Sequence, residues 1–207
     1  MSVRVKICGI TCIEDALAAA AVGADAIGMV FHRASPRAVD PETAAAIVRA
    51  LPPFVTSVGL FVDAAEVEIE QILRDVPLDL LQFHGSEAPA ECERHGLPFI
   101  KAVAVRPGID LLQFAAAFHR ARGLLLDAFV PGQAGGTGIQ ADWAAIPRAL
   151  PLPVILAGGL HSGNVAAAVR AVRPWAVDVS SGVERAKGFK DHDKLSDFMR
   201  GVRDADV

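Results

Sequence analysis

The chain has 207 residues, a hydrophobic fraction of 52% and a net charge of −4. That length suits one domain, 1–207, with a sizeable buried core, and its interspersed charges offer no basic field for nucleic acid or an anionic membrane. No apolar run reaches the ~18 residues of a membrane span, the N-terminus carries charges inside its apolar stretch and is no secretory leader, and three scattered cysteines make neither a disulfide framework nor a zinc ribbon, so a cytoplasmic location is expected.

The pattern predicts one supersecondary unit, repeated. A β-branched strand at 3–8 precedes an Ala-rich helix at 14–22. A strand at 25–31 precedes a helix at 41–51, with Pro41 in its first turn. Strands at 55–62, 78–83 and 99–104 alternate with helices at 64–74, 88–95 and 109–118. A strand at 123–127 runs into a longer loop and a helix at 142–150. Strands at 153–157 and 176–180 are followed by helices at 162–172 and 193–202. Strict alternation implies right-handed crossovers and a parallel sheet. Eight near-equal units favour closure into a (β/α)₈ TIM barrel over an open doubly wound sheet.

In a closed barrel, chemistry sits at the C-terminal ends of the strands. Polar residues and glycines crowd those ends here: Cys8 and Gly9, Ser35 to Arg37, His84 and Gly85, Asp127, Gly158 and Gly159, and Asp178 to Gly182. The opposite ends, with Pro53, Pro98, Pro151 and Pro153, are plain turn chemistry. Strand periodicity sets Val3, Val5 and Ile7 toward the helices, and Lys6 and Cys8 toward the lumen. Leu125 and Asp127 face inward from the sixth strand, and Ala176, Asp178 and Ser180 from the eighth. Closure makes the first and eighth strands neighbours. Lys6 and Asp178 are therefore expected to form an ion pair inside the barrel, since either charge buried alone costs several kcal/mol.

Glycines let main-chain N–H groups approach an anion, and barrels of this kind hold phosphate on the loops after strands 7 and 8. Gly158, Gly159, Ser180, Ser181 and Gly182 occupy those loops and are read as a phosphate site, in preference to simple turns. The stretch 136–141 matches G-x-G-x-x-A, but it trails its strand by a long loop and is discounted as a dinucleotide fingerprint. Residues 131–138 read instead as a Gly-rich lid. Cys12, Cys92, His95 and His119 look incidental, and Lys190 and His192 look solvated.

Lys6-Ile7-Cys8-Gly9-Ile10-Thr11, Ser35-Pro36-Arg37, Gln82-Phe83-His84-Gly85, Leu126-Asp127-Ala128, Gly135-Gly136-Thr137-Gly138 with Trp143 after it, Ala157-Gly158-Gly159-Leu160 and Asp178-Val179-Ser180-Ser181-Gly182-Val183-Glu184 occur in that order. Each piece is weak alone. The ordered set, covering nearly the whole chain, resembles the phosphoribosylanthranilate isomerases of tryptophan biosynthesis. The resemblance implies a cofactor-free and metal-free Amadori rearrangement of an aminoaldose phosphate. It implies a cysteine base matching Cys8, an aspartic acid matching Asp127, and an arginine matching Arg37 that holds the substrate carboxylate. Lys6, His84 and Asp178 are expected to line the site. The partner is then a small-molecule substrate, with no nucleic acid and no membrane, and the sequence does not choose between a monomer and a homodimer. A metal-dependent epimerase would need converging histidines that His84 alone does not supply. Indole-glycerol-phosphate synthase would want a lysine acid and glutamates at strand ends. A non-catalytic phosphate sensor would have no use for an intact Cys8 and Asp127.

Overall fold

Valine, isoleucine and leucine supply nearly half of the residues of eight short strands: β1 (Arg4–Cys8), β2 (Ala26–Val30), β3 (Thr56–Phe61), β4 (Leu80–Phe83), β5 (Phe99–Ala104), β6 (Leu124–Asp127), β7 (Val154–Ala157) and β8 (Ala176–Val179). Each pairs in parallel with the next, and β8 pairs with β1 to close a barrel in the computed structural model, which describes residues 2–106, 108–127, 143, 146–147 and 149–205. The expected lid at 131–138 and the motif at 136–141 lie outside the described residues, as does most of the helix expected at 142–150. Helices α1 (Ile13–Ala21), α2 (Pro41–Ala50), α3 (Glu66–Asp75), α4 (Pro89–Glu93), α5 (Leu111–Ala117), α6 (Val165–Val172) and α7 (His192–Arg203) intervene. No described helix is long and apolar enough to cross a membrane.

Side chains alternate as the strand period dictates. Val5, Ile7, Ile27, Met29, Leu81, Leu124, Leu126, Leu156, Val177 and Val179 are buried in one core cluster with helix residues such as Ala16, Ala44, Ile69 and Phe198. Phe31, Phe61, Phe83 and Phe99 form a connected aromatic row within it. Ile100, Ala102, Leu125, Ile155, Ala157 and Ala176 form a separate interior cluster that fills the barrel. Cys8, Val30 and Leu60 form a third, with Val62 against it. The barrel is thus packed beneath its C-terminal rim, which leaves chemistry to the rim itself.

Helix ends follow local capping. Asp40 accepts a hydrogen bond from the Thr43 N–H at 2.8 Å, with Pro41 as the first helical residue of α2. The Asp110 carboxylate caps α5, which starts at Leu111 rather than at 109. Helix α6 starts at Val165 rather than at 162. Asn164 closes a polar turn ahead of it, accepting from His161 N and donating to Gly159 O. Helix α4 is shorter than the expected 88–95. Beyond β8 the chain forms a 3₁₀ turn at Ser181–Val183 and then an unanticipated hairpin, β9 (Glu184–Ala186) with β10 (Phe189–Lys190). Gly188 turns it at φ +83°, a conformation that costs glycine nothing.

Candidate active site

Closure sets Lys6 beside Asp178 in the β1–β8 register. Lys6 Nζ lies 2.8 Å from Asp178 Oδ1, with both side chains nearly inaccessible, so the expected ion pair is present. Burial pushes the Lys6 ammonium down, but Asp178 and Cys8 more than offset it, and its pKa stands above its ordinary value. Cys8 sits one pleat above. A Cβ added at Gly28, its register partner on β2, would lie 2.9 Å from Cys8 Sγ and 3.0 Å from Lys6 Nζ. Only glycine leaves that space for the thiol and ammonium to lie side by side. Burial pushes the Cys8 thiol up, against the downward pull of Lys6.

Arg37, from the loop after β2, reaches across to the hairpin after β8. Its Nε and Nη2 each donate to a Glu184 oxygen at 2.7 Å, a bidentate pair on one edge of the guanidinium. Hydrogen bonding to Glu184 raises the Arg37 pKa above its ordinary value. Burial pushes the Glu184 carboxyl up, but Arg37 and Lys190 pull it below the ordinary carboxylate range. Lys190, expected in solvent, is fully buried. The hairpin and the end of β1 enclose it, and its three ammonium hydrogens meet Cys8 O at 2.7 Å, Ser180 O at 3.1 Å and Glu184 Oε1 at 3.1 Å. Burial pulls its pKa down from 10.5. His192 is half-exposed, but it too is engaged, 3.0 Å from the buried Asp15. Asp15 also accepts from the Lys190 N–H and so ties α1 to the hairpin.

The expected phosphate loops meet. Gly158 and Gly159 adopt φ +88° and +63°. A Cβ on Gly182 would collide with the Leu160 carbonyl oxygen, so the loops after β7 and β8 are pressed together at a point only glycine fits. Ser180 Oγ is buried without a hydrogen-bond partner among the described residues. Ser181 opens the 3₁₀ turn beside it.

Across the rim, the Gln82 side-chain amide lies 2.9 Å from His84 Nδ1, and His84 Nε2 lies 3.6 Å from Asp127 Oδ2. The other oxygen, Asp127 Oδ1, is buried without a partner among the described residues. His84 and Asp127 share the wall of a cavity of about 700 Å³ with Lys101 and Arg106. Lys101, inside a strand that reads as apolar, is buried and pairs with Glu87 Oε2 at 2.9 Å. It also donates to Gly85 O and so fixes the loop after β4.

The expected residues therefore fall on two arcs of one rim. Lys6, Cys8, Arg37, Asp178 and Ser180 gather on the β8–β1–β2 side, with the β7–β8 loops adjoining. His84 and Asp127 gather on the β4–β6 side. No hydrogen bond joins the arcs among the described residues. Sequence reasoning missed Glu184 as the partner of Arg37, and also Lys190, Lys101 and Glu87. A glutamate closing the motif at 178–184 was the only signal for any of them.

The family model described as N-(5'phosphoribosyl)anthranilate (PRA) isomerase matches residues 5–201. The N-(5'-phosphoribosyl)anthranilate isomerase of Thiobacillus denitrificans is 61% identical over 96% of this chain and 97% of its own length. That of Nitrosospira multiformis is 58% identical over 98% and 97%. The crystal structure of phosphoribosyl anthranilate isomerase from Thermotoga maritima superposes with a TM-score of 0.90 at 41% identity, covering 98% of this chain and 99% of that one. A second solved isomerase, in complex with reduced 1-(o-carboxyphenylamino)-1-deoxyribulose 5-phosphate, has a TM-score of 0.86 at 40% identity, covering 98% and 99%. With the closed barrel, the paired rim arcs and matches of this extent, this chain belongs to the N-(5'-phosphoribosyl)anthranilate isomerase family.

Proposed function

We propose that Cys8 and Asp127 move the protons in the isomerisation of N-(5'-phosphoribosyl)anthranilate to the corresponding arylamino-deoxyribulose 5-phosphate, a step of tryptophan biosynthesis. The observation that carries this reading is the placement, at strand ends of one rim, of a lysine-flanked thiol and of a carboxyl group whose buried Oδ1 has no partner among the described residues.

Asp127, holding a proton, gives it to the ribose ring oxygen. The bond from that oxygen to the anomeric carbon breaks, and the nitrogen lone pair forms an iminium. The Cys8 thiolate then removes the proton from the adjacent carbon, and the resulting enolamine tautomerises to the ketone. Protons and electrons balance within the substrate, so the step draws on neither a redox cofactor nor a metal. Lys6 favours the thiolate, and the cationic iminium adds to that pull at the moment the base acts. Asp178 keeps Lys6 charged in its buried seat.

The substrate's two anionic ends fit the two remaining features. Arg37 receives the aryl carboxylate. The loops bearing Gly158, Gly159, Ser180, Ser181 and Gly182 receive the phosphate through main-chain N–H groups and the Ser180 hydroxyl, which has no partner among the described residues. His84, 3.6 Å from Asp127 Oδ2, orients Asp127. The reaction belongs in the cytoplasm, where the unpaired Cys8 stays reduced.

The decisive experiment follows anthranilate-type fluorescence as phosphoribosylanthranilate is consumed with no cofactor added. Wild type turns over, while Cys8→Ala and Asp127→Asn each lose about 10²–10⁴ in rate. Full turnover by either variant would remove that residue from its role.

A further inference from the structure

We infer that Glu184 and Lys190, on the hairpin after β8, are positioning residues for Arg37, and that this clamp sets selectivity for a substrate carrying a carboxylate on its aryl group. The inference rests on the reading in which Arg37 receives that carboxylate.

An arginine on a loop has several rotamers and no inherent direction. Here one guanidinium edge is fully committed, with Nε and Nη2 each 2.7 Å from a Glu184 oxygen. The opposite, end-on edge keeps two hydrogens on Nη1 and one on Nη2, and Nη1 has no hydrogen-bond partner among the described residues. That edge is itself a planar fork matched to a second carboxylate. Glu184 thus aims the free edge instead of quenching the charge.

Glu184 is held in turn. Its Oε1 also accepts from Lys190 Nζ at 3.1 Å and from Gly188 N at 3.4 Å. Within the triad, two cations share one carboxylate, which leaves it receptive to a further anion. Lys190 spends its other two hydrogens on Cys8 O and Ser180 O. One ammonium therefore references the carboxylate-binding arginine to the strand that carries the thiol and to the loop expected to hold phosphate. Three groups that must meet one ligand share a single fixed point.

The test uses two inhibitors: reduced 1-(o-carboxyphenylamino)-1-deoxyribulose 5-phosphate and its analogue lacking the aryl carboxylate. Wild type binds the first more tightly. Glu184→Gln places an amide donor against guanidinium donors, so Arg37 swings away. The ratio of the two affinities then falls on the order of 10–100-fold, KM rises with it, and kcat changes by less than about threefold. Glu184→Asp, which keeps the charge on a shorter stem, restores part of the ratio. Arg37→Met abolishes the ratio.

If Glu184→Gln weakens both inhibitors alike, or neither, while Arg37→Met abolishes the ratio, the clamp is overturned and the role of Arg37 stands. If Arg37→Met keeps the wild-type ratio, the underlying reading fails. A measurement on the unmutated protein stands apart from variant folding. The ¹⁵N-resolved Arg37 Nε proton, assigned by its loss in Arg37→Lys, exchanges with water much more slowly than those of exposed arginines. Exchange as fast as theirs overturns the clamp.

Discussion

Lys190 Nζ donates to the main-chain oxygen of Cys8 at 2.7 Å, across 182 positions of sequence. The proposed base therefore sits at the end of a strand whose last carbonyl is fastened by the penultimate element of the fold. That contact makes the β9–β10 hairpin part of the site's framework, although it contributes nothing to the barrel sheet.

The electrostatics of Cys8 predict opposite shifts for two variants. Burial raises the thiol pKa, Lys6 lowers it, and the Asp178 carboxylate raises it through repulsion. A thiolate base makes kcat/KM rise with pH as the thiol ionises. Lys6→Met removes the downward pull and moves that rise to higher pH. Asp178→Asn removes the repulsion and, while Lys6 stays protonated beside the thiolate, moves it to lower pH. Asp178→Asn also leaves Lys6 buried without its counter-ion, at a cost of about 3–5 kcal/mol in a urea melt. The pH profiles of the two variants and wild type check both signs.

On the opposite arc the two side chains should differ in weight. Asp127→Asn removes the proposed proton donor and should cost about 10²–10⁴ in kcat. His84→Gln removes only an orienting contact of 3.6 Å and costs about tenfold or less. Steady-state rates on the same substrate rank them, and a His84→Gln loss equal to that of Asp127→Asn would make the histidine a direct participant.

The proposed phosphate loops predict a contrast between two glycines. Gly182→Ala drives a methyl into the Leu160 carbonyl and must separate the loops after β7 and β8. We expect a stability loss of about 1–3 kcal/mol, a raised KM, and weakened inhibition by inorganic phosphate. A Cβ at Gly159 meets nothing within 4 Å, so Gly159→Ala carries only the strain of φ +63°, roughly 1–2 kcal/mol, with phosphate affinity nearly kept. Thermal melts and phosphate competition separate the two.

Acid should loosen the hairpin. In the fold, the Glu184 carboxyl lies below its ordinary 4.5, because Arg37 and Lys190 outweigh the upward push of burial. A depressed carboxyl stabilises the fold fully above its unfolded pKa, and that contribution is lost as pH falls through the folded value. Stability should therefore decline progressively below about pH 4.5, and Glu184→Gln should flatten that part of the profile. Urea midpoints measured across this range provide the check.

The barrel was legible because each unit repeats the same pattern of apolar strand and Ala-rich helix. The Lys6–Asp178 pair was legible because strand parity and closure together leave those two charges no other place to go. The Arg37–Glu184–Lys190 triad was not. Strands of three and two residues carry too little periodicity to register beside a Gly turn, and a lysine between Phe189 and Asp191 reads as solvated until the hairpin folds over it. Lys101 was missed for the converse reason: one charge in a strongly apolar strand does not break the strand signal, and its burial is accounted for by the Glu87 carboxylate and the Gly85 carbonyl of the neighbouring loop. The helix limits at Asp110 and Asn164 depend on side chains that compete with the main chain for hydrogen bonds, a contest that periodicity does not register.

Barrel closure also bears on how the chain is made. Arg4 to Ile7 pair with Ala176 to Val179, and Lys6 and Cys8 find their long-range partners at residues 178 and 190. Until those late segments leave the ribosome, the first strand presents an open edge and a lysine with no counter-charge. The nascent protein must therefore carry an unsealed, adhesive sheet until the segments around residues 178 and 190 emerge, and only then can the proposed reaction centre assemble.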